Sequence, residues 1–262
     1  MRGRNIRIAS LMTLREVFRR RIIILLLLVI PSVFYAVTYL TTNLMPFPFQ
    51  LASVEGEPGL MVPARHIGLV FMGLASTGLL AAFLSMSLIQ RNLKATRRLI
   101  ICGFTTSEIS VSKLLVMLAI IILVGFYVGS LLLIFFHPER FLIVICGFIL
   151  VGFVYGSYGL LIGSLLRGEL EGILLITLLA NIDIGWLQNP IFYAGALNKA
   201  LIRGLPAFFP SQVSNIASFS DHNIFHALAG SLLYGGILLI LAMLVYWIRM
   251  KKKDVGHADI QI

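Results

Sequence analysis

Six long apolar runs divide the chain, and shorter polar segments separate them. The runs are Ile22–Leu40, Gly68–Ile89, Leu114–Phe136, Phe141–Leu166, Gly172–Leu187 and Ala227–Ile248. A helix of about 20 apolar residues crosses the roughly 30 Å hydrocarbon core of a bilayer, so each run predicts a membrane span. None alternates apolar and polar positions over about ten residues, as the strands of a membrane β-barrel would. The fifth run is the shortest and carries Asn181 and Asp183.

Ahead of the first run, Ile8, Leu11, Leu14, Val17 and Phe18 share one side of a helix, with Thr13, Glu16 and Arg20 opposite. Arg7 and Arg15 border the apolar stripe, where their aliphatic stems can lie along it. This pattern predicts an amphipathic helix in the membrane interface, apolar side down. No small-x-small cleavage site closes the first run, so it is expected to remain as an anchor. Between the fifth and sixth runs, Leu197, Leu201 and Leu205 recur every four residues before Pro206 and Pro210. Val213, Ile216 and Ala217 then open a second apolar face, which predicts two short helices half-sunk in the outer leaflet. The connection from Thr41 to His66, with Pro46, Pro48, Glu55, Glu57 and Pro58, reads as an outer loop.

Within the runs, Gly125–Gly129, Gly152–Gly156 and Gly159–Gly163 are GxxxG pairs, and Gly78–Ala82 and Ala81–Ser85 extend the small-residue spacing. Such pairs let helix backbones approach closely in lipid. They fit packing inside one bundle, with one set left over for a subunit interface.

Composition agrees with the pattern: 59% of residues are hydrophobic, 12% are charged, and the mean hydropathy is +0.97. The net charge of +10 is distributed by side. With the N-terminus inside, 17 of the 21 Lys and Arg residues fall in cytoplasmic segments, leaving Arg65, Arg140, Lys199 and Arg203 outside. That bias predicts a multi-pass protein of a prokaryotic plasma membrane with both termini cytoplasmic. It accounts for the basic charge through topology and anionic-lipid contact, without nucleic acid. Cys102 and Cys146 have no partners at disulfide or zinc spacing, and the five His residues form no metal pattern.

The cytoplasmic segment between the second and third runs reads "RRLIICGFTTSEISVSKLL", Arg97 to Leu115. Thr105 and Glu108 form T-x-x-E, a capping box that starts a helix at Thr106 and runs without a break signal into the third span. Gly103 permits a tight turn before it. With Arg97 and Arg98 flanking, the element is a rigid, charged knuckle continuous with a membrane helix. At this point the chain resembles the permease subunit of ABC-2 type exporters. In that family basic residues, a Thr-x-Ser-x-x-Glu motif and a Gly/Ser-Lys-Leu-Leu run precede the third span. Thr106 stands where the family usually has proline, and "LPAFFPSQ", Leu205 to Gln212, is similar to the family's outer segment before the last span.

The resemblance implies one transmembrane domain, residues 1–262, of all-α architecture with six spans. Residues 1–21 would be its interfacial helix, 97–113 its cytoplasmic coupling element and 188–224 its outer re-entrant segment. It implies that Arg97, Arg98, Thr105, Thr106, Ser107, Glu108 and Ile109 dock on a separate ABC ATPase subunit. The Arg167–Glu171 turn, through Glu169 and Glu171, would add a second contact; read by itself it is equally a solvated hinge. A second permease copy or homologue would complete a dimer among the membrane lipids. The chain holds no G-x-x-x-x-G-K-[ST], so ATP and magnesium are expected on the partner, with no cofactor in this chain and no enzyme activity of its own. Export of a lipophilic or amphipathic substrate (drug, peptide or glycolipid) follows from the resemblance and the apolar spans.

Other chemistry finds less footing. Ser110-x-x-Lys113 has the spacing of some serine acyl enzymes but lacks their companion motifs, and Lys113 sits where a snorkelling anchor belongs. Asp183 supports an alternative, an ion-coupled secondary transporter, because an acid inside a membrane span is costly. It is expected to face a hydrated cavity or a polar partner. In one reading the fifth span ends early and Asp183 lies at the outer mouth beside Asn181 and Trp186. In the other, Asp183 and Asn181 belong to the substrate path or a proton site.

Overall fold

The computed structural model describes residues 2–49, 51, 60–90, 99–166, 168–189, 192–193 and 196–258, without the side chains of 2, 3 and 250–258. The amphipathic segment forms helix α1 (Arg2–Arg19), and one residue later the first span begins as α2 (Arg21–Thr41). The other spans are α3 (Ala64–Gln90), α4 (Thr106–Leu132), α5 (Phe141–Leu165), α6 (Glu169–Ile182) with a π-helical turn (Asp183–Leu187), and α9 (Phe225–Ala258). Between them lie the short helices α7 (Lys199–Arg203) and α8 (Phe208–Phe219). Six helices are long and apolar enough to cross a membrane. The protein is an all-α, multi-pass membrane protein.

Helix α5 is the axis of the bundle, packed against α3, α4, α8 and α9. Its sequence explains the position. Tyr155, Phe148, Val151 and Val154 are buried among glycines that admit neighbouring helices on several sides. A Cβ on Gly159 would collide with the backbone of Ala82, and one on Gly163 would stand 3.0 Å from the Met86 carbonyl oxygen, so this pair sets the α3–α5 approach. Gly152 and Gly156 receive Ile121 from α4, while Gly125 and Gly129 of α4 receive Ile149 and Ile145. All three GxxxG pairs are therefore used inside this chain, and none is left to line a subunit interface. Close backbone contact replaces the hydrophobic force that lipid does not supply.

Three details depart from the sequence pattern. Residues Pro46–Phe49 and Leu60–Pro63 pair as an antiparallel two-stranded sheet where an irregular loop was expected. Proline is tolerated because each strand is an edge. Phe49 and Val62 from this hairpin pack with Ile67 and Ile216, closing the outer side of α8. Glu55 and Glu57 lie outside the described residues.

Helix α8 is thus not half-sunk: its residues from Pro210 to Ser218 are all buried. Pro210 fits within it because it occupies the first turn, where a missing N–H costs nothing. Burial of so polar a helix is made possible locally. The Ser211 and Ser218 hydroxyls donate to the Phe208 and Ser214 carbonyls at 2.8 Å. Arg140 closes the C-terminal end, donating to the carbonyls of Ser220 at 2.6 Å and His222 at 3.1 Å.

The third departure concerns the orientation of α1. Thr13, Glu16 and Arg20 turn toward the protein together with buried Ala9, and α1 packs along α4. Ile8, Leu11 and Phe18 face away from the bundle, but Leu14 and Val17 of the same stripe pack against its core, so the stripe is split between the two sides.

Candidate functional site

The elbow before α4 is built by two opposed end-signals. A helical turn at 99–101 stops where the Phe104 amide donates to the Leu99 carbonyl at 3.1 Å and the Gly103 amide donates to the Ile100 carbonyl at 2.9 Å. This is a Schellman motif, and Gly103 supplies its left-handed residue at φ +91°. Two residues later the chain restarts. The Glu108 amide donates to Thr105 Oγ1 at 3.3 Å, and the Thr105 amide donates to Glu108 Oε2 at 2.9 Å. The capping box is complete, and α4 continues from it for 27 residues into the membrane.

This geometry divides the residues singled out by sequence into two groups. Thr105 and Ser107 are exposed at the elbow, with Thr106 half-buried. Glu108 is only 5% exposed and Ile109 is likewise buried, so both hold the elbow against the bundle. Arg97 and Arg98 lie outside the described residues. Sequence reasoning missed Ile101, whose side chain is 85% exposed beside Cys102 at the tip.

A second turn, between α5 and α6, is fixed from two sides. Gln90, the last residue of α3, donates through Nε2 to the carbonyls of Leu166 at 3.4 Å and Gly168 at 3.5 Å. Arg249 of α9 donates to the carbonyls of Ser164 at 2.7 Å and Leu166 at 3.1 Å, placing a cation on the C-terminus of α5. Leu166 and Gly168 are thus anchored, which disfavours a loose hinge; Arg167 lies outside the described residues. Glu169, half-buried, and Glu171, exposed, occupy the first turn of α6, where negative charge suits the helix dipole.

Above Glu169 a cleft of about 310 Å³ runs between α2, α3 and α6, lined by Ile23, Leu27, Ile30, Phe83 and Ile173. Its volume is at the lower end of the roughly 300–1,000 Å³ typical of small-molecule sites.

Asp183 lies at the other end of α6, separated from Glu169 by the length of the helix. Its side chain has no accessible surface. Oδ2 accepts from the Tyr155 hydroxyl at 2.7 Å and the Ala207 amide at 2.8 Å, and Oδ1 accepts from Gln188 Nε2 at 2.9 Å. Gln188 also donates to the Ile202 carbonyl at 3.3 Å. The carboxylate therefore ties α5, the π-helical turn, α7 and the start of α8 into one knot. The turn folds Asp183 inward while Asn181 and Trp186, the two residues expected beside it, stay exposed. A polar partner, not a hydrated cavity, satisfies the acid. Gln188 was legible as a neighbour in sequence; Tyr155, 28 positions away, was not.

Among the described residues no group of three or more His, Cys, Asp or Glu could hold a metal ion. Compared with known families and proteins, no family model matches the chain and no curated protein matches it.

Proposed function

We propose that this chain is the membrane-spanning subunit of an ATP-driven exporter of the ABC-2 type, powered by a separate ATPase subunit. The observation that carries the reading is the elbow. Its Schellman motif and capping box make a stiff corner at the end of a membrane helix, with Ile101, Thr105 and Ser107 presented outward. A corner of this kind transmits a push from a docked subunit directly along α4. The second turn, held by Gln90 and Arg249, supplies a further rigid contact at Glu171. In this reading both ends of the chain are cytoplasmic and a second permease copy or homologue completes the path. The substrate is lipophilic or amphipathic, moving outward, and the apolar cleft above Glu169 suits its tail. ATP and magnesium stay on the partner.

The ion-coupled alternative gains no support from Asp183, whose oxygens are already occupied by three protein donors.

Affinity purification from the native membrane tests the proposal. An ATPase should co-purify with the chain, and Ile101→Glu should release it while leaving the permease folded. Isolation of the chain without an ATPase, together with flux that follows an ion gradient, overturns the reading.

A further inference from the structure

Helix α1 carries a face that the bundle does not use. Arg4, Arg7, Arg15 and Arg19 are all exposed, and Ile8, Leu11, Met12 and Phe18 are exposed among them. At 100° per residue these eight positions fall in one continuous sector, opposite Ala9, Thr13 and Val17, which face α4. Among the described residues none of the four arginines makes an ion pair or a side-chain hydrogen bond, whereas Arg20 on the inner face pairs with Glu16 at 3.0 Å.

What covers this face follows from where the helix ends. Only Arg20 separates α1 from α2, a 21-residue apolar span. The C-terminal end of α1 is therefore held at the bilayer surface, within reach of lipid headgroups. The arginines form two pairs, Arg4 with Arg7 and Arg15 with Arg19, whose centres lie about 17 Å apart along the axis. Ile8, Leu11 and Met12 fill the gap between them. Such a surface matches a membrane: apolar side chains enter the acyl boundary while guanidinium groups reach phosphate oxygens.

We propose that the outer face of α1 is a binding surface for anionic phospholipid headgroups, and that their binding stabilises the seating of α1 on α4. The second part follows from the inner face. Ala9 is buried there and α1 packs along α4, so a helix pressed onto the membrane keeps that face seated. Neutral headgroups offer the same phosphates without net charge and bind more weakly. An acidic protein segment would satisfy the arginines but leave the apolar side chains without a solvent of their own.

The test uses the full chain in mixed micelles of detergent and phosphatidylcholine, with phosphatidylglycerol added at constant total lipid. Added phosphatidylglycerol should raise the Tm by roughly 5 °C, and salt near 0.5 M should remove most of the gain. The combined variant R4Q/R7Q/R15Q/R19Q should lose at least half of the gain. The corresponding Arg→Lys variant should keep most of it, since the charge is retained. Melting of the Gln variant in phosphatidylcholine alone shows that it is folded. Equal stabilisation of the native chain and the Gln variant, or no advantage of phosphatidylglycerol over phosphatidylcholine, overturns the proposal. So does stabilisation by soluble polyglutamate equal to that by the lipid, which would assign the face to an acidic protein.

Discussion

Lys113 and Asp183 are both ionisable groups buried within membrane-spanning helices, and the protein accommodates them in opposite ways. At the end that the proposal places outside, Asp183 is surrounded by donors, with all of its hydrogen bonds inside the chain. At the end that it places in the cytoplasm, Lys113 is 3% exposed and its ammonium has no hydrogen-bond partner among the described residues. It has only the face of the Tyr246 ring, 5.4 Å away, and the nearby charge of Glu16. Snorkelling, expected for a lysine at that depth, is prevented because α1 covers the route out. A hydrogen-bonded carboxylate fixes geometry, because each donor must stay within about 3 Å and in line. An ammonium held by a ring and a distant charge tolerates displacement, since those attractions fall off gradually. The end that holds Asp183 is thus pinned and the end that holds Lys113 is adjustable, a division that suits the proposed push at the elbow.

The sides assigned to the two ends can be tested outright. Cys102 at the elbow is exposed, and so is Asp221 before α9. In a Cys146→Ser background an impermeant thiol reagent should label Asp221→Cys in intact cells, while Cys102 should react only after permeabilisation. Ser214, which lay in the segment expected outside, is fully buried and would serve poorly as a reporter. Labelling of Cys102 in intact cells would invert the molecule and turn the elbow away from any cytoplasmic ATPase.

Next in size is Asp183→Ala. It strands the Tyr155 hydroxyl, the Gln188 amide and the Ala207 N–H, at about 1–3 kcal/mol for each donor left unsatisfied. A large fall in Tm is expected. Asp183→Asn should also destabilise, by about 1.5–3 kcal/mol, because its new NH₂ group faces one donor in place of Oδ1 or two in place of Oδ2. If Asp183→Asn melts like the native chain, the knot does not hold the outer end. Tyr155→Phe removes a single donor and should cost about 1 kcal/mol.

Thr105→Ala breaks the elbow cap and should cost about 1 kcal/mol, with Ser at the same position nearly silent. The smallest expected change tests the other half of the comparison. Lys113→Met removes a poorly satisfied charge from a buried site and with it the cost of keeping that charge out of water, so the change should be neutral or slightly stabilising. Thermal melting of Lys113→Met should therefore equal or exceed that of the native chain. A loss as large as that of Asp183→Asn would show that both ends are pinned alike.

Much of this architecture was legible along the chain. The six spans follow from apolar length, and their observed limits differ from the runs by a few residues. Helix α1 follows from its periodicity, and the capping box from Thr105 and Glu108 alone, because the bonds that define it span three residues. These features depend on neighbours close in sequence and on the shared demand that lipid makes of any backbone. The tertiary structure decided what depends on residues brought together from afar. Periodicity grouped Thr13, Glu16 and Arg20 on one side of α1, but only packing on α4 turned that side inward. Val213, Ile216 and Ala217 suggested a helix lying half-sunk, yet the hairpin of residues 46–49 and 60–63 covers α8 and makes it part of the core. Asp183 could be seen to need a partner, while its meeting with Tyr155 and the Ala207 amide required α5, the π-helical turn and α8 to converge. Local hydrogen bonds and hydropathy act over a few residues and can be read in order; the satisfaction of a buried charge is a property of the assembled bundle.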